Sequence, residues 1–310
     1  MQPCPPCEDI GVTGLPKAHN RSVRGLSLAI EKIQFFKAHG AGNDFVVLDE
    51  NFGALPRDLD RWAVAFCCRR TGIGADGVLV IRRNQTPVAM ECWNSDGSRA
   101  EACGNGLRVI TRILSEHGPV SEIGTDAGTI AVESLRDADG QFLARTILGP
   151  VRHSAEVEIT VSGKTVHGIP ANVGNPHLVF SISDFPGDDP VRHFGPGLEV
   201  CVPDRVNVGF HEIVSRNHLK LRVWERGCGE TLACGTGAAA AVRVLQARGL
   251  LAEQVRVEMP GGDLQLRSIT ESPDHVEICG PARINYRGSL RFDTEQVGIV
   301  DFEEQVQETI

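Results

Sequence analysis

The chain has no basic block, and its 310 residues carry a formal charge of −9. Without clustered Lys and Arg there is no electrostatic footprint for a phosphate backbone, so no nucleic-acid partner is expected. No uncharged apolar run approaches the ~20 residues of a membrane span, and the first residues lack the apolar stretch of a secretory leader. The expectation is a cytoplasmic protein with no membrane partner. A metal framework is missing too. Cys4-Pro5-Pro6-Cys7 is a lone CxxC, and no second CxxC or His pair at ligand spacing completes it, so no metal is expected. Ten cysteines are many for a reducing compartment but far too few for a disulfide scaffold.

What the chain does have is a cysteine twice placed in the same setting. Ala233-Cys234-Gly235-Thr236-Gly237 leads into the alanine-rich run 238–246, which reads as a helix ending near Gly249. Alone, a cysteine there reads as a small buried residue. Cys103-Gly104-Asn105-Gly106, however, also opens a helix-like run, 107–116, ending at Gly118. Laying Cys103 on Cys234 superposes Gly104 on Gly235, Gly106 on Gly237, Arg112 on Arg243, Leu114 on Leu245 and Gly118 on Gly249. Trp93 and Trp224 stand the same number of residues ahead of each cysteine, and Gly42-Asn43 faces Gly174-Asn175 further upstream. The chain therefore reads as two copies of one domain.

Many short strands and one long helix per copy predict an α+β fold. It would have two pseudo-symmetric domains, each a largely antiparallel sheet or barrel wrapped around a central helix, with the active site in the cleft between them. The boundaries read as an N-terminal extension over 1–32, flexible from its Pro and Gly content, and a first domain over 33–148 with a return strand at 282–293. A second domain follows over 149–281, then an acidic tail over 294–310. Residues 72–77 fit the letters G-x-G-x-x-G, but a strand-like run follows where a dinucleotide site needs a helix. A tight turn is the reading there.

A cysteine at a helix start lies in the field of unpaired backbone N–H groups, which favours its thiolate. Two such starts facing one cavity would bind an anion and present a thiol on each side. That suits proton transfer at a carbon next to a carboxylate. One thiolate takes the proton from one face, the opposite thiol delivers one to the other, and the configuration inverts.

The blocks His39-Gly-Ala-Gly-Asn43-Asp-Phe45, Asn94-Ser-Asp-Gly-Ser98, Cys103-Gly-Asn-Gly106, Gly174-Asn-Pro-His177, Glu225-Arg-Gly227, Ala233-Cys-Gly-Thr-Gly237 and Pro260-Gly-Gly262 occur in this order. Together they resemble the diaminopimelate epimerases. The resemblance implies interconversion of LL- and meso-diaminopimelate, on the route to lysine and peptidoglycan, with no cofactor. It implies Cys103 and Cys234 as the acid/base pair, supported by His177 and Glu225. The N–H groups of Gly104, Asn105, Gly235 and Thr236 would hold the reacting carboxylate. Asn43, Asn94, Asn175, Asn207, Glu225 and Arg226 would position the small-molecule substrate, and Tyr286 would lie at a homodimer contact. Three positions depart from the family's habit: Cys228 in place of alanine, Gly77 where some members place a glutamine, and Arg99 near the first cysteine. Two other readings compete. One is a racemase of the same fold for another amino acid, such as the proline and hydroxyproline enzymes; the other is a thiol-redox or zinc protein built on Cys4 and Cys7.

Overall fold

The computed structural model of the chain describes residues 30–53, 55–101, 103–293 and 298–305. Cys4 and Cys7, the rest of residues 1–29, and residues 306–310 lie outside the described residues.

The first half runs β1 (Ile30–Gly40), β2 (Asn43–Asp49), α1 (Leu59–Cys67), β3 (Gly77–Arg82), β4 (Ala89–Asn94), β5 (Arg99–Ala100), α2 (Gly104–Leu114), β6 (Glu122–Thr125), β7 (Gly128–Arg136) and β8 (Phe142–Leu148). Its main strands pair in the order β1-β2-β3-β4-β6-β7-β8, with β2–β3 and β4–β6 parallel and the rest antiparallel. The second half has β9 (Arg152–His153), β10 (Val157–Val161), β11 (Lys164–Asn172), β12 (Pro176–Ser181), α3 (Pro190–Glu199), β13 (Asn207–Ser215), β14 (His218–Glu225), β15 (Gly229–Thr231), α4 (Gly235–Ala247), β16 (Gln254–Met259), β17 (Gly262–Ile269) and β18 (Ser272–Pro281). Its order β11-β12-β13-β14-β16-β17-β18 repeats the same sequence of parallel and antiparallel pairings. The repeat read from cysteine spacing is thus a repeat of topology.

The last strands of the two halves, β8 and β18, pair with each other and fuse the sheets. The chain then returns to the first half as β19 (Arg283–Asp293) on β1, and β20 (Gly298–Gln305) pairs outside β19. Residues 298–305, read from composition as part of an acidic tail, therefore form a strand. No pairing among the described residues joins the ends of this sheet, so it stays open where a barrel was one expectation.

Each half has three layers. The strands β2 and β3 are apolar on both faces because both faces are covered. Val47, Leu79 and Ile81 point to α2, whereas Val46, Leu48, Val78 and Val80 point the other way, under α1. In the second half Val179 faces α4, and Leu178, Phe180, Val208 and Phe210 face α3. The central helices are buried almost all round, as a helix wrapped by its own sheet must be. Ala238, Ala239, Ala240 and Ala241 have no exposed surface, and such small side chains let the strands close on the α4 backbone. Inserting a larger residue there costs about 1–3 kcal/mol.

Helix α3 was not legible beforehand. It contains Gly195, Pro196 and Gly197, a poor helix composition. Packing overrides propensity: a Cβ on Gly195 would fall 2.7 Å from the Trp224 ring, and one on Gly197 would fall 2.8 Å from Val161. The 72–77 stretch runs directly into β3 and makes no dinucleotide turn.

Candidate active site

The two central helices begin face to face. Cys103 caps α2 and Cys234 caps α4 with nearly the same backbone angles, φ −141 and ψ 111 against φ −134 and ψ 107. Each sulfur accepts a hydrogen bond from an N–H of its own first turn, from Gly106 at 3.3 Å and from Gly237 at 3.3 Å. The helix starts nearly touch: a Cβ on Gly235 would lie 3.8 Å from the Gly104 Cα.

The second layer repeats as well. The loop residue Asn43 accepts from Asn105 Nδ2 at 3.0 Å, and its counterpart Asn175 donates to Thr236 Oγ1 at 3.4 Å. In both halves the loop asparagine is thus held by the residue two beyond the cysteine. Asn105 Nδ2 also donates to the Ala233 carbonyl, 2.9 Å away in the other half. On the rim, the 39–43 loop seats on the Gly261 turn, where a Cβ would fall 2.0 Å from the Ala41 carbonyl oxygen.

Symmetry of the frame does not extend to charge. The Cys103 thiol is held below its ordinary range by a hydrogen bond from Cys92, reinforced by the Gly106 N–H and Arg108 and opposed by burial. Cys234 is pushed well above its range by burial and by Glu225 beside it. Burial also raises Glu225, although Thr231 and Cys234 donate to it. The first thiol is therefore the more acidic of the two, and the second holds its proton more tightly.

His177 is buried, and its pKa falls to about 3 through burial and the nearby Arg226. It is therefore neutral, and its Nε2 lies 3.0 Å from Asn175 Oδ1. In that pairing the imidazole donates to and orients the asparagine, and it is not a proton source near pH 7. Asn207 accepts from the Arg226 backbone N–H at 3.0 Å and donates to the Pro176 carbonyl at 3.0 Å. The Arg226 guanidinium reaches only the Asp204 carbonyl, at 3.3 Å, and has no ion-pair partner among the described residues. Asn94 donates to Ser98 Oγ at 2.9 Å, within its own turn. Tyr286 lies edge-to-face on Phe35 at 6.0 Å.

Three groups escaped the sequence reading. Asp76 accepts from Asn43 Nδ2 at 2.9 Å and from the Asp44 backbone at 3.1 Å, fixing the loop. Cys92 lies under Cys103, where the repeat places Val223 under Cys234. Arg108 is wholly buried where the repeat places Ala239. Comparing the two copies for unlike residues at like positions would have found the last two.

Thiol reactivity outside the facing pair is predictable. Thr71 Oγ1 donates to Cys68 at 3.0 Å, and the N–H groups of Arg70, Thr71 and Gly72 also converge on it, holding its pKa at about 7. Cys228 is exposed, yet the loss of water around its sulfur and the nearby Glu225 push it to about 12. At pH 7, iodoacetamide should label Cys68 at least ~10-fold faster than Cys228, because the thiolate is the nucleophile. Peptide mapping of a time course reads this, and faster labelling of Cys228 would contradict it.

Comparison with known proteins places this geometry. The family profile described as diaminopimelate epimerase matches residues 35–153 and 170–284. The diaminopimelate epimerase of Moorella thermoacetica is 38% identical over 283 residues, covering 84% of this chain and 100% of that protein. That of Xanthomonas axonopodis pv. citri is 39% identical over 276 residues, covering 83% and 96%. Among solved structures, a hydroxyproline epimerase of Agrobacterium vitis superposes with a TM-score of 0.66 at 14% identity, over 84% of this chain and 93% of that one. A PhzF-family phenazine biosynthesis protein of Bacillus anthracis superposes with a TM-score of 0.61 at 12% identity, over 89% and 99%. At such identities the structures establish the shared two-domain fold.

Proposed function

The chain belongs to the diaminopimelate epimerase family, and from that premise we propose that it interconverts LL- and meso-diaminopimelate by a two-thiol proton transfer using its own side chains. The observation that carries the mechanism is the facing pair of cysteine-capped helix starts with opposite proton affinities. The reacting carboxylate sits against the N–H groups of Gly104, Asn105, Gly235 and Thr236. Their two helix ends, each worth about half a positive charge, stabilise the negative charge that develops as the α-proton leaves. Cys103 as thiolate accepts the proton from one face of the α-carbon, and Cys234 as thiol donates to the other. Glu225, hydrogen-bonded to Cys234, steadies that proton, and neutral His177 holds Asn175 in place. In the reverse direction the protonation states exchange.

Asn43, Asn94, Asn175 and Asn207 orient the substrate, and Arg226 receives its distal carboxylate. The protein works in the cytoplasm as a homodimer, with Tyr286 at the contact between copies. No helix among the described residues is long and apolar enough to cross a membrane.

The direct test is incubation with LL-diaminopimelate in D₂O. Meso product should appear with one deuterium at the inverted α-carbon, and the remaining LL substrate should gain deuterium more slowly. The absence of both product and exchange would remove the reading.

A further inference from the structure

Arg108 lies on α2 just beyond its first turn, and none of its surface is exposed. Its Nη2 donates to Asn105 Oδ1 at 2.6 Å, and its Nη1 makes a long contact with the Gly104 carbonyl at 3.4 Å. Its Nε has no hydrogen-bond partner, and no carboxylate pairs with it among the described residues. Buried charges are otherwise paired, because removing an ion from water is costly.

The room for this cation is built by glycines from three other elements. A Cβ on Gly40 of β1 would come 3.4 Å from Nη2, one on Gly280 of β18 would come 3.2 Å from Nε, and one on Gly235 of α4 would come 3.9 Å from Nη1. The equivalent position of the other repeat is Ala239, buried to the same degree. Helix packing at this position therefore does not require an arginine.

The charge stands behind two helix N-termini that are themselves positive. The groups that face it are the sulfurs of Cys103 and, on β18, Cys279. Cys103 in turn faces Cys92 of β4, Glu225 of β14 and the Gly106 N–H. Burial lowers the arginine only to about 10, so it stays protonated near neutral pH.

We propose that Arg108 is the built-in counter-charge of the site, a positioning residue whose buried cation holds Cys103 as the thiolate and strengthens the pull of both helix starts on the substrate carboxylate. It touches neither reacting atom. The inference rests on the two-thiol reading above, but its test does not use turnover.

Arg108→Met removes charge and hydrogen bonds with similar bulk. Arg108→Gln removes the charge and leaves a donor for Asn105. Alkylation of the Cys103 peptide by iodoacetamide is followed against pH in both variants and in the parent, with the Cys68 peptide as an internal reference. Loss of a nearby opposite charge moves a pKa by ~1–3 units. Cys103 should therefore ionise at higher pH in both variants, and its labelling at pH 7 should fall ~10-fold or more relative to Cys68. The thermal midpoint of the Gln variant should not fall, since a donor to Asn105 remains and an unpaired buried ion is removed. An unshifted Cys103 profile in the Gln variant would overturn the proposal, leaving Arg108 as a hydrogen-bonding prop for Asn105. So would failure of both variants to fold, because the cation would then be structural. Lack of deuterium exchange in the parent enzyme would instead remove the reaction assignment and leave the charge coupling standing.

Discussion

Cys103→Ala and Cys234→Ala should each lower epimerisation by at least ~10²-fold, the usual effect of losing a positioned acid/base group and about 2.7 kcal/mol of barrier. Inversion needs a group on each face of the α-carbon, so neither thiol can cover for the other. Nor does the Cys92 thiol rescue Cys103→Ala: it is buried in the first-half core and its pKa is pushed well above the ordinary range. The single variants should also separate exchange from inversion. A lone remaining thiolate can take an α-proton from one stereoisomer and return a deuteron to the same face. Each variant should therefore exchange at most one of the LL and meso substrates at the reacting centre, with almost no inverted product. Chiral chromatography with mass spectrometry in D₂O reads both quantities. More than about one per cent residual inversion in either variant would defeat the two-thiol mechanism.

The second large effect concerns the far end of the substrate. Lysine differs from diaminopimelate by lacking one distal carboxylate. Arg226 has no carboxylate partner among the described residues, and Asn207 fixes its backbone. A guanidinium offers two parallel donors to a carboxylate, a geometry that a lysine ammonium does not reproduce. A site built to bond a polar group can reject the analogue that lacks it by ~10⁴-fold. Wild type should therefore disfavour lysine by about that factor in kcat/KM. Arg226→Lys should lower kcat/KM for diaminopimelate with no loss of thermal stability. Racemisation of lysine within tenfold of diaminopimelate would refute the distal anchor and favour a racemase for another amino acid.

The parts of this molecule legible beforehand were those expressed in short, local patterns. A cysteine followed by Gly-x-Gly and an apolar run marks a capped helix, and two such runs in register marked the repeat. The doubly buried strands β2 and β3 read as strands because residues 45–48 and 78–81 are unbroken apolar runs. Helix α3 did not, because its glycines are dictated by Trp224 and Val161, which are distant in sequence. The open sheet was likewise hidden, since strand closure depends on long-range pairing that no local pattern encodes. A role for the loop asparagines came only through resemblance. By itself an Asn before a strand reads as a turn residue, and the bonds from Asn43 to Asn105 and from Asn175 to Thr236 join residues far apart in the chain. Cys92 and Arg108 look like ordinary core positions until the copies are compared.

That comparison bears on the fusion of the two repeats through β8 and β18. An assembly of two identical half-chains would be forced by its own two-fold axis to give both sulfurs one environment. Neither would then be favoured to start as base, and each could adopt either state only by chance. Joining the halves in a single polypeptide lifts that degeneracy. One copy can carry Arg108 and Cys92 where the other carries Ala239 and Val223, and Glu225 can hydrogen-bond one sulfur alone. The backbone keeps a repeated cradle, suited to a reaction whose substrate and product differ only in the configuration of one carbon, while the side chains give that cradle an electrical polarity.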